Sequence, residues 1–505
     1  MATEAATLRL ASLKAKTRSL LQQVEQQGDA IHEGWRQAIE REDFLPGARN
    51  LADYLALRQI DLTGLQADLA SCGLSSLGRS ESHIRPALET VCAALDCMTG
   101  DTPAWPDPAR LDAGFEAICK AQARFFGDDG PANATRIMVT LPSEAADDGA
   151  LLQNIIAAGA SCVRINCAHD NAEAWGRMIG HAKDAARRAG RDCPVIMDIG
   201  GPKIRVVDVH APAKRLHRGD CLRIVSDVRL LDGDTAAMTI SYPDLIGRLK
   251  PGAAVLIDDG KIGARVSRLI DGGVELEAIA VREKGVKLKP EKGVNFPSIE
   301  LDMAPVTPDD LAALDFIAGH ADVIGFSFVQ RPADVDMLVE ALALRRGDRP
   351  RQPLLLKIET ALAVRNLPRL LVSAGGRHPV AVMIARGDLA MEVGPERLSE
   401  VQEEILWLCE AAHVPVVWAT QVLESLVKDG APSRAEVTDA AMGQRAECVM
   451  LNKGPFIVEG VRFLAGILHR MDRHQFKKTA RLSALTSWKS DQSLTQAHAA
   501  VPSVD

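Results

Sequence analysis

Two segments of this chain end apolar runs with the side chains of metal and phosphate chemistry. In LLLKIET (354–360) Lys357 and Glu359 stand two residues apart, and in MIARGDLAMEV (383–393) Asp388 follows a run of the same kind. Two carboxylates are the number of hard oxygen donors that a Mg²⁺ ion typically takes from protein, with phosphate and water filling its other positions. Four further apolar runs close in the same way. SCVRIN (161–166) carries Arg164 and Asn166, PVIMDIG (194–200) Asp198, VIGFSF (323–328) Ser327 and VPVVWAT (414–420) Thr420. Arg164 and Lys357 supply positive charge beside the carboxylates, and Gly387 lets a ligand approach the backbone where a helix N-terminus can receive an anion. Two plainer readings compete: carboxylates that only neutralise these cations, and Asp388 as a helix cap. Burying unpaired charge is costly, so six such strand ends argue for one shared site, suited to a phosphorylated, carboxylated small molecule and Mg²⁺, or Mn²⁺ in its place.

The elements that must bring these ends together are legible. TRIMVT (135–140) and CVMLNKG (448–454) complete a set of eight apolar, β-branched runs separated by segments of helical length. Eight alternating βα units imply an α/β fold of the (β/α)8 type, a TIM barrel with its site at the strand C-termini. Over a hundred residues separate the third run from the fourth, too many for a βα loop. CLRIVSD, GAAVLIDDGKIGARV, GVELEAIAV and KGVKLKP alternate apolar residues within that gap, which implies a small inserted β-barrel lid domain. Before the first run, LRLASLKAKTRSLLQQVEQQ and IRPALETVCAALDCM have helical spacing, and FFGDDGPANAT reads as a linker. The expected organisation is a helical region at 1–130, barrel at 131–206, lid at 207–292, barrel at 293–475 and a polar tail at 476–505.

The chain has 505 residues, a net charge of -8, and only 4% aromatic residues, so aliphatic packing must dominate. That charge gives no pull toward nucleic acid or an anionic membrane. No run of about 18 apolar residues and no signal-peptide pattern is present, which points to the cytoplasm. Ten scattered cysteines, without a CxxC pair, read as reduced core thiols.

VRINCAHD, MDIGGPKIR, VLIDDGKI, KGVNFP, IGFSFVQR, LKIET, MIARGDLAMEV, WATQVLESL and SRAEVTDAA, in this order, resemble the pyruvate kinase family. The resemblance implies transfer of a phosphoryl group from phosphoenolpyruvate to ADP, giving pyruvate and ATP in glycolysis. It implies Glu359 and Asp388 as Mg²⁺ ligands, Lys357 and Arg164 on the phosphoryl group, and Gly387, Asp388 and Thr420 at the substrate carboxylate, with Ser327 beside them. Thr420 would also join a path that protonates the enolate. His169, Arg205 and Lys292, the last from the lid, would hold the nucleotide. A homo-oligomer is expected, with no nucleic-acid or membrane partner.

The departures from the family are specific. Where many members bind potassium with motifs near NFSHG and DTKGPEIR, this chain has NCAHD and DIGGPKIR: Ala168, Ile199 and Lys203 replace a serine, a threonine and a glutamate. Asn166 and Asp198 read as the remnant of that cation site, and the Lys203 ammonium as its built-in cation, with no potassium requirement. LSGETA becomes LNKGPF, which adds Lys453 at the barrel mouth, and Gln330 stands where arginine is common. The chain after the barrel leaves no room for the family's C-terminal domain, so no regulation through that domain and an assembly other than the usual tetramer are expected. Two other functions fit the same site: a nucleotide-free enolate lyase and a non-catalytic metabolite sensor.

Overall fold

The computed structural model describes residues 2–128, 134–227, 229, 233–297, 299, 303–347, 349–477 and 479–480. The expected tail therefore lies almost wholly outside the described residues. Five helices open the chain: α1 (Ala2–Trp35), α2 (Leu45–Leu57), α3 (Thr63–Ser71), α4 (Ile84–Thr99) and α5 (Ala109–Phe126). Strands β1 (Arg136–Thr140), β2 (Cys162–Asn166) and β3 (Val195–Asp198) follow. The chain then leaves for β4 (Val206–His210), β5 (Cys221–Val225), β6 (Ala236–Ile240), β7 (Ala254–Ile257), β8 (Ile262–Ile270), β9 (Gly273–Val281) and β10 (Val294–Asn295). It returns for β11 (Val323–Phe326), β12 (Leu354–Ile358), β13 (Val380–Ala385), β14 (Val416–Ala419) and β15 (Cys448–Leu451).

Strands β1, β2, β3 and β11 to β15 pair in parallel and close into one barrel, each within the run expected for it except β13, which starts earlier, at Val380. The period-2 alternation of a strand decides what enters the lumen. Met138, Cys162, Ile196, Val323, Leu355, Ala381, Val417 and Cys448 form an inner cluster, while Ile137, Val163, Val195, Ile324 and Leu354 join the layer beneath the helices. Stepping two residues onward from Cys162, Ile196 and Leu355 reaches Arg164, Asp198 and Lys357, and two more from Lys357 reaches Glu359. The same alternation that fills the lower lumen with apolar side chains therefore lines its C-terminal mouth with charge. Phe125 and Phe126, at the end of α5, pack into the inner cluster and close the opposite end.

The seven lid strands run in the order β10-β7-β8-β9-β5-β6-β4. The two edges meet, because Val206 donates to the Lys292 carbonyl at 2.8 Å and Val294 to the Ile204 carbonyl at 2.9 Å, giving the lid a barrel-like form with its own core. KGVKLKP forms no strand, contrary to expectation: only an isolated bridge joins Val286 to Leu216. Of the ten cysteines, all unpaired, five are buried, but Cys97 and Cys221 are exposed and not core thiols.

The helical region is fastened to the barrel by buried polar contacts. The Asn50 side chain donates to the carbonyls of Glu81 (2.7 Å) and Ala411 (2.8 Å) and accepts from the Ile84 amide at 2.8 Å. Asn50→Ala would remove three buried hydrogen bonds, so we expect a loss of about 2–3 kcal/mol in urea denaturation. A loss below about 0.5 kcal/mol would show that water replaces the side chain there.

Candidate active site

The mouth of the lumen holds a chain of alternating charges. Arg164 donates through Nε to Asp198 Oδ2 at 2.7 Å and through Nη1 to Thr140 Oγ1 at 3.1 Å. Asp198 is wholly buried, and its Oδ2 also lies 3.6 Å from Lys357 Nζ. Lys357 donates to Ser327 Oγ at 2.7 Å and pairs with Glu359 Oε1 at 3.1 Å. Ser327 in turn donates to the Ile199 carbonyl at 2.7 Å, which turns its lone pairs toward the ammonium. The Phe328 amide donates to Glu359 Oε2 at 2.6 Å. Burial above all, and the nearby Asp388 charge, push the Glu359 carboxyl upward, against the pull of Lys357.

Asp388 sits in the first turn of the helix Arg386–Val393, and Lys203 Nζ lies 3.0 Å from each of its carboxylate oxygens. The expected grouping of Lys203 with Asn166 and Asp198 is thus not the contact formed. Asp198 belongs to Arg164 and Lys357, and Lys203 to Asp388. No cluster of three or more metal-capable side chains occurs among the described residues. The donor set nonetheless fits a divalent ion held by Glu359 and Asp388 alone, because hard carboxylate oxygens paired to lysines, Glu359 Oε1 and both of Asp388, can exchange them for metal.

Gly387 and Thr420 face each other at this mouth. A Cβ at Gly387 would meet nothing nearer than Thr420, at 3.8 Å, so protein packing does not require glycine there. The Thr420 hydroxyl is buried without a hydrogen-bond partner, and its backbone is left-handed (φ 65°). A buried hydroxyl without a partner on a left-handed backbone is a locally strained position of the kind that clusters at functional sites. Arg386 holds the strained turn: its Nε and Nη2 donate to the Ala419 and Thr420 carbonyls at 2.9 and 2.6 Å, and its fork grips Asp439 while its face covers Trp418.

On the opposite side, Arg164, Asn166, His169 and Lys453 line a cavity of about 270 Å³. Arg205 and Lys292 do not line it. Arg205 donates to the Glu291 carbonyl at 3.0 Å, and Lys292 lies 3.1 Å from Asp258 within the lid. The sequence reading missed Thr140, Arg386 and Asp439, which position other side chains. It also missed Gly325, opposite Asp198 in the β11–β3 register, where an added Cβ would lie 1.8 Å from Asp198 Oδ1. A glycine two residues before Ser327 on a luminal face was the available signal.

A closed parallel barrel with a lid after its third strand and a charged mouth defines a capped barrel enzyme. Residues 132–456 match the model of the pyruvate kinase barrel domain. The chain is 31% identical to a pyruvate kinase of Thermococcus litoralis over 71% of its length and 73% of the relative's. It is 32% identical to pyruvate kinases of Geobacillus stearothermophilus and Methylorubrum extorquens over 67% of its length, spanning 57% and 69% of those relatives. The chain belongs to the pyruvate kinase family. Helices α1 to α5 precede the matched segment.

Two outcomes follow from this geometry. Gly325→Ala should displace the Asp198 carboxylate, costing about 1–3 kcal/mol of stability and about a hundredfold in turnover; near-wild-type turnover would show that Asp198 can move freely. Glu392, one turn after Asp388, has its carboxyl raised from 4.5 to about 7 by burial and by the Asp388 charge. The folded state therefore keeps a proton that the unfolded state gives up, and stability falls as pH rises through that window. Denaturation of Glu392→Gln at several pH values should show its advantage over the parent growing from about pH 4.5 to 7 and then levelling. A constant difference would contradict the assignment.

Proposed function

We propose that this protein is a Mg²⁺-dependent, potassium-independent pyruvate kinase of the cytoplasm, transferring a phosphoryl group from phosphoenolpyruvate to ADP in glycolysis. The observation that carries the reading is the linked Arg164–Asp198–Lys357–Glu359 cluster with Lys203 and Asp388 beside it. Phosphoryl transfer asks little covalent chemistry of a protein; it asks for positioning and for charge set against charge.

Glu359 and Asp388 would hold the divalent ion, which when bound supplies charge neutralisation on the phosphate oxygens. Arg164 and Lys357, stiffened by Asp198, Thr140 and Ser327, would address the phosphoryl group from two sides as its bond to the enol oxygen breaks and a bond to a terminal ADP oxygen forms. The backbone at Gly387 and Asp388, with the unpartnered Thr420 hydroxyl, would hold the substrate carboxylate. A proton delivered along the path that includes Thr420 then converts the enolate to pyruvate. His169 in the cavity beside Arg164, together with Arg205 and with Lys292 from the lid, would hold ADP. Closure of the lid would exclude water, which otherwise competes as acceptor.

Lys203 already stands as a fixed positive charge against Asp388, where many relatives are understood to depend on a soluble cation nearby. Pyruvate and ATP formation from phosphoenolpyruvate, ADP and Mg²⁺ should therefore proceed in potassium-free buffer and change less than about twofold when potassium is added. A many-fold rise with potassium would remove the role given to Lys203, and no turnover in either buffer would overturn the kinase reading.

A further inference from the structure

At the end of the barrel opposite the charged mouth lies a cleft of about 340 Å³ between the helical region and the strand N-termini. Its size falls in the range of small-molecule sites, about 300–1,000 Å³. The floor is apolar: Phe44 from the start of α2, Phe125 from α5, and Val380 and Val414 from the barrel. Its polar wall is cationic, made of Arg41, Lys120 and Arg124. The one carboxylate of the lining, Asp43, is gripped by Arg41, whose guanidinium also donates to the carbonyls of Gly375 (3.0 Å) and His378 (2.6 Å). Lys120 and Arg124 have no hydrogen-bond or ion-pair partner among the described residues.

The two unpaired cations stand exposed at the rim of the cleft. Lys120 and Arg124 are spaced i, i+4 on α5, where like charges oppose each other. Burial, and then the charge of Arg41, holds the Arg124 guanidinium below its ordinary value. The Asp43 charge pulls the Arg124 guanidinium the other way, but three cations to one carboxylate leave the lining net positive in a chain of net charge -8. The side chains that α5 turns toward the void beside them are small, Ala117 and Ala121 among them, which leaves the space open.

We propose that this cleft binds a small amphipathic anion, its phosphate, sulfonate or carboxylate group between Lys120 and Arg124 and its apolar body on Phe44 and Phe125. The site is separate from the mouth and independent of the reaction proposed there. Strands β13 and β14, whose N-terminal ends it touches, are the strands that carry Asp388 and Thr420 at their far ends.

The test is a fluorescence titration of the full chain with 8-anilinonaphthalene-1-sulfonate, an aromatic sulfonate, beside its uncharged counterpart N-phenyl-1-naphthylamine. We expect one saturable sulfonate site, with affinity lowered about tenfold or more by the pair Lys120→Gln and Arg124→Gln. Ala117→Phe, which fills the void without changing charge, should abolish binding. The uncharged probe should bind the parent weakly and be indifferent to the glutamine pair. Phosphoenolpyruvate turnover of each variant, expected to equal that of the parent, reports folding and keeps this test distinct from that of the mouth. Sulfonate binding unchanged in both the glutamine pair and Ala117→Phe would overturn the proposal, as would equal binding of the two probes.

Discussion

The structure is organised around a carboxylate that water cannot reach. Asp198 sits at the top of the lumen with no exposed surface, one oxygen held by Arg164 and approached by Lys357, the other without a partner. An unpaired charge in that position would cost several kcal/mol, and its pairing is what allows a row of ionised groups to stand on an apolar barrel. Each neighbour is committed in turn: Arg164 to Thr140, Lys357 to Ser327 and Glu359, and Lys203 to Asp388. Three cations thus face three carboxylates, and this network is balanced before any ligand arrives.

That balance explains the chemistry the site can support. A divalent ion and a polyanionic substrate added together leave a balanced network balanced, whereas either alone does not. Glu359 and Asp388 would hold the divalent ion, and Lys357 and Lys203, which those carboxylates now pair with, would then be available to phosphate. Gly325 keeps room for Asp198 at the centre of the network. Arg386 and Asp439 hold the turn that carries Thr420 by hydrogen bonds to its backbone.

Much of this was legible in the sequence because parallel strands covered on both faces read as unbroken apolar runs, and charges at their ends stand out. Arg164 with Asn166 and Lys357 with Glu359, each pair two apart, share a luminal face by strand geometry alone. The partner of Lys203 was not legible, because it depends on how the chain turns into the lid. Nor was the lid's full strand set: VVDVH (206–210) alternates weakly and AAMTI (236–240) lacks a polar face, yet both form strands, whereas KGVKLKP alternates well and finds only one bridge. Residues that act by geometry, such as Gly325 and Asp439, show their role only once their neighbours are known.

The central claim is that the network at the mouth is neutralised from within, so that Lys203 stands where the divalent ion must draw on Asp388. Mn²⁺ titration followed by electron paramagnetic resonance, without substrate, on the parent and on Lys203→Met tests it most directly. The account predicts tighter Mn²⁺ binding by Lys203→Met, by about tenfold, the equivalent of about 1.4 kcal/mol. Equal or weaker binding by the variant would contradict it.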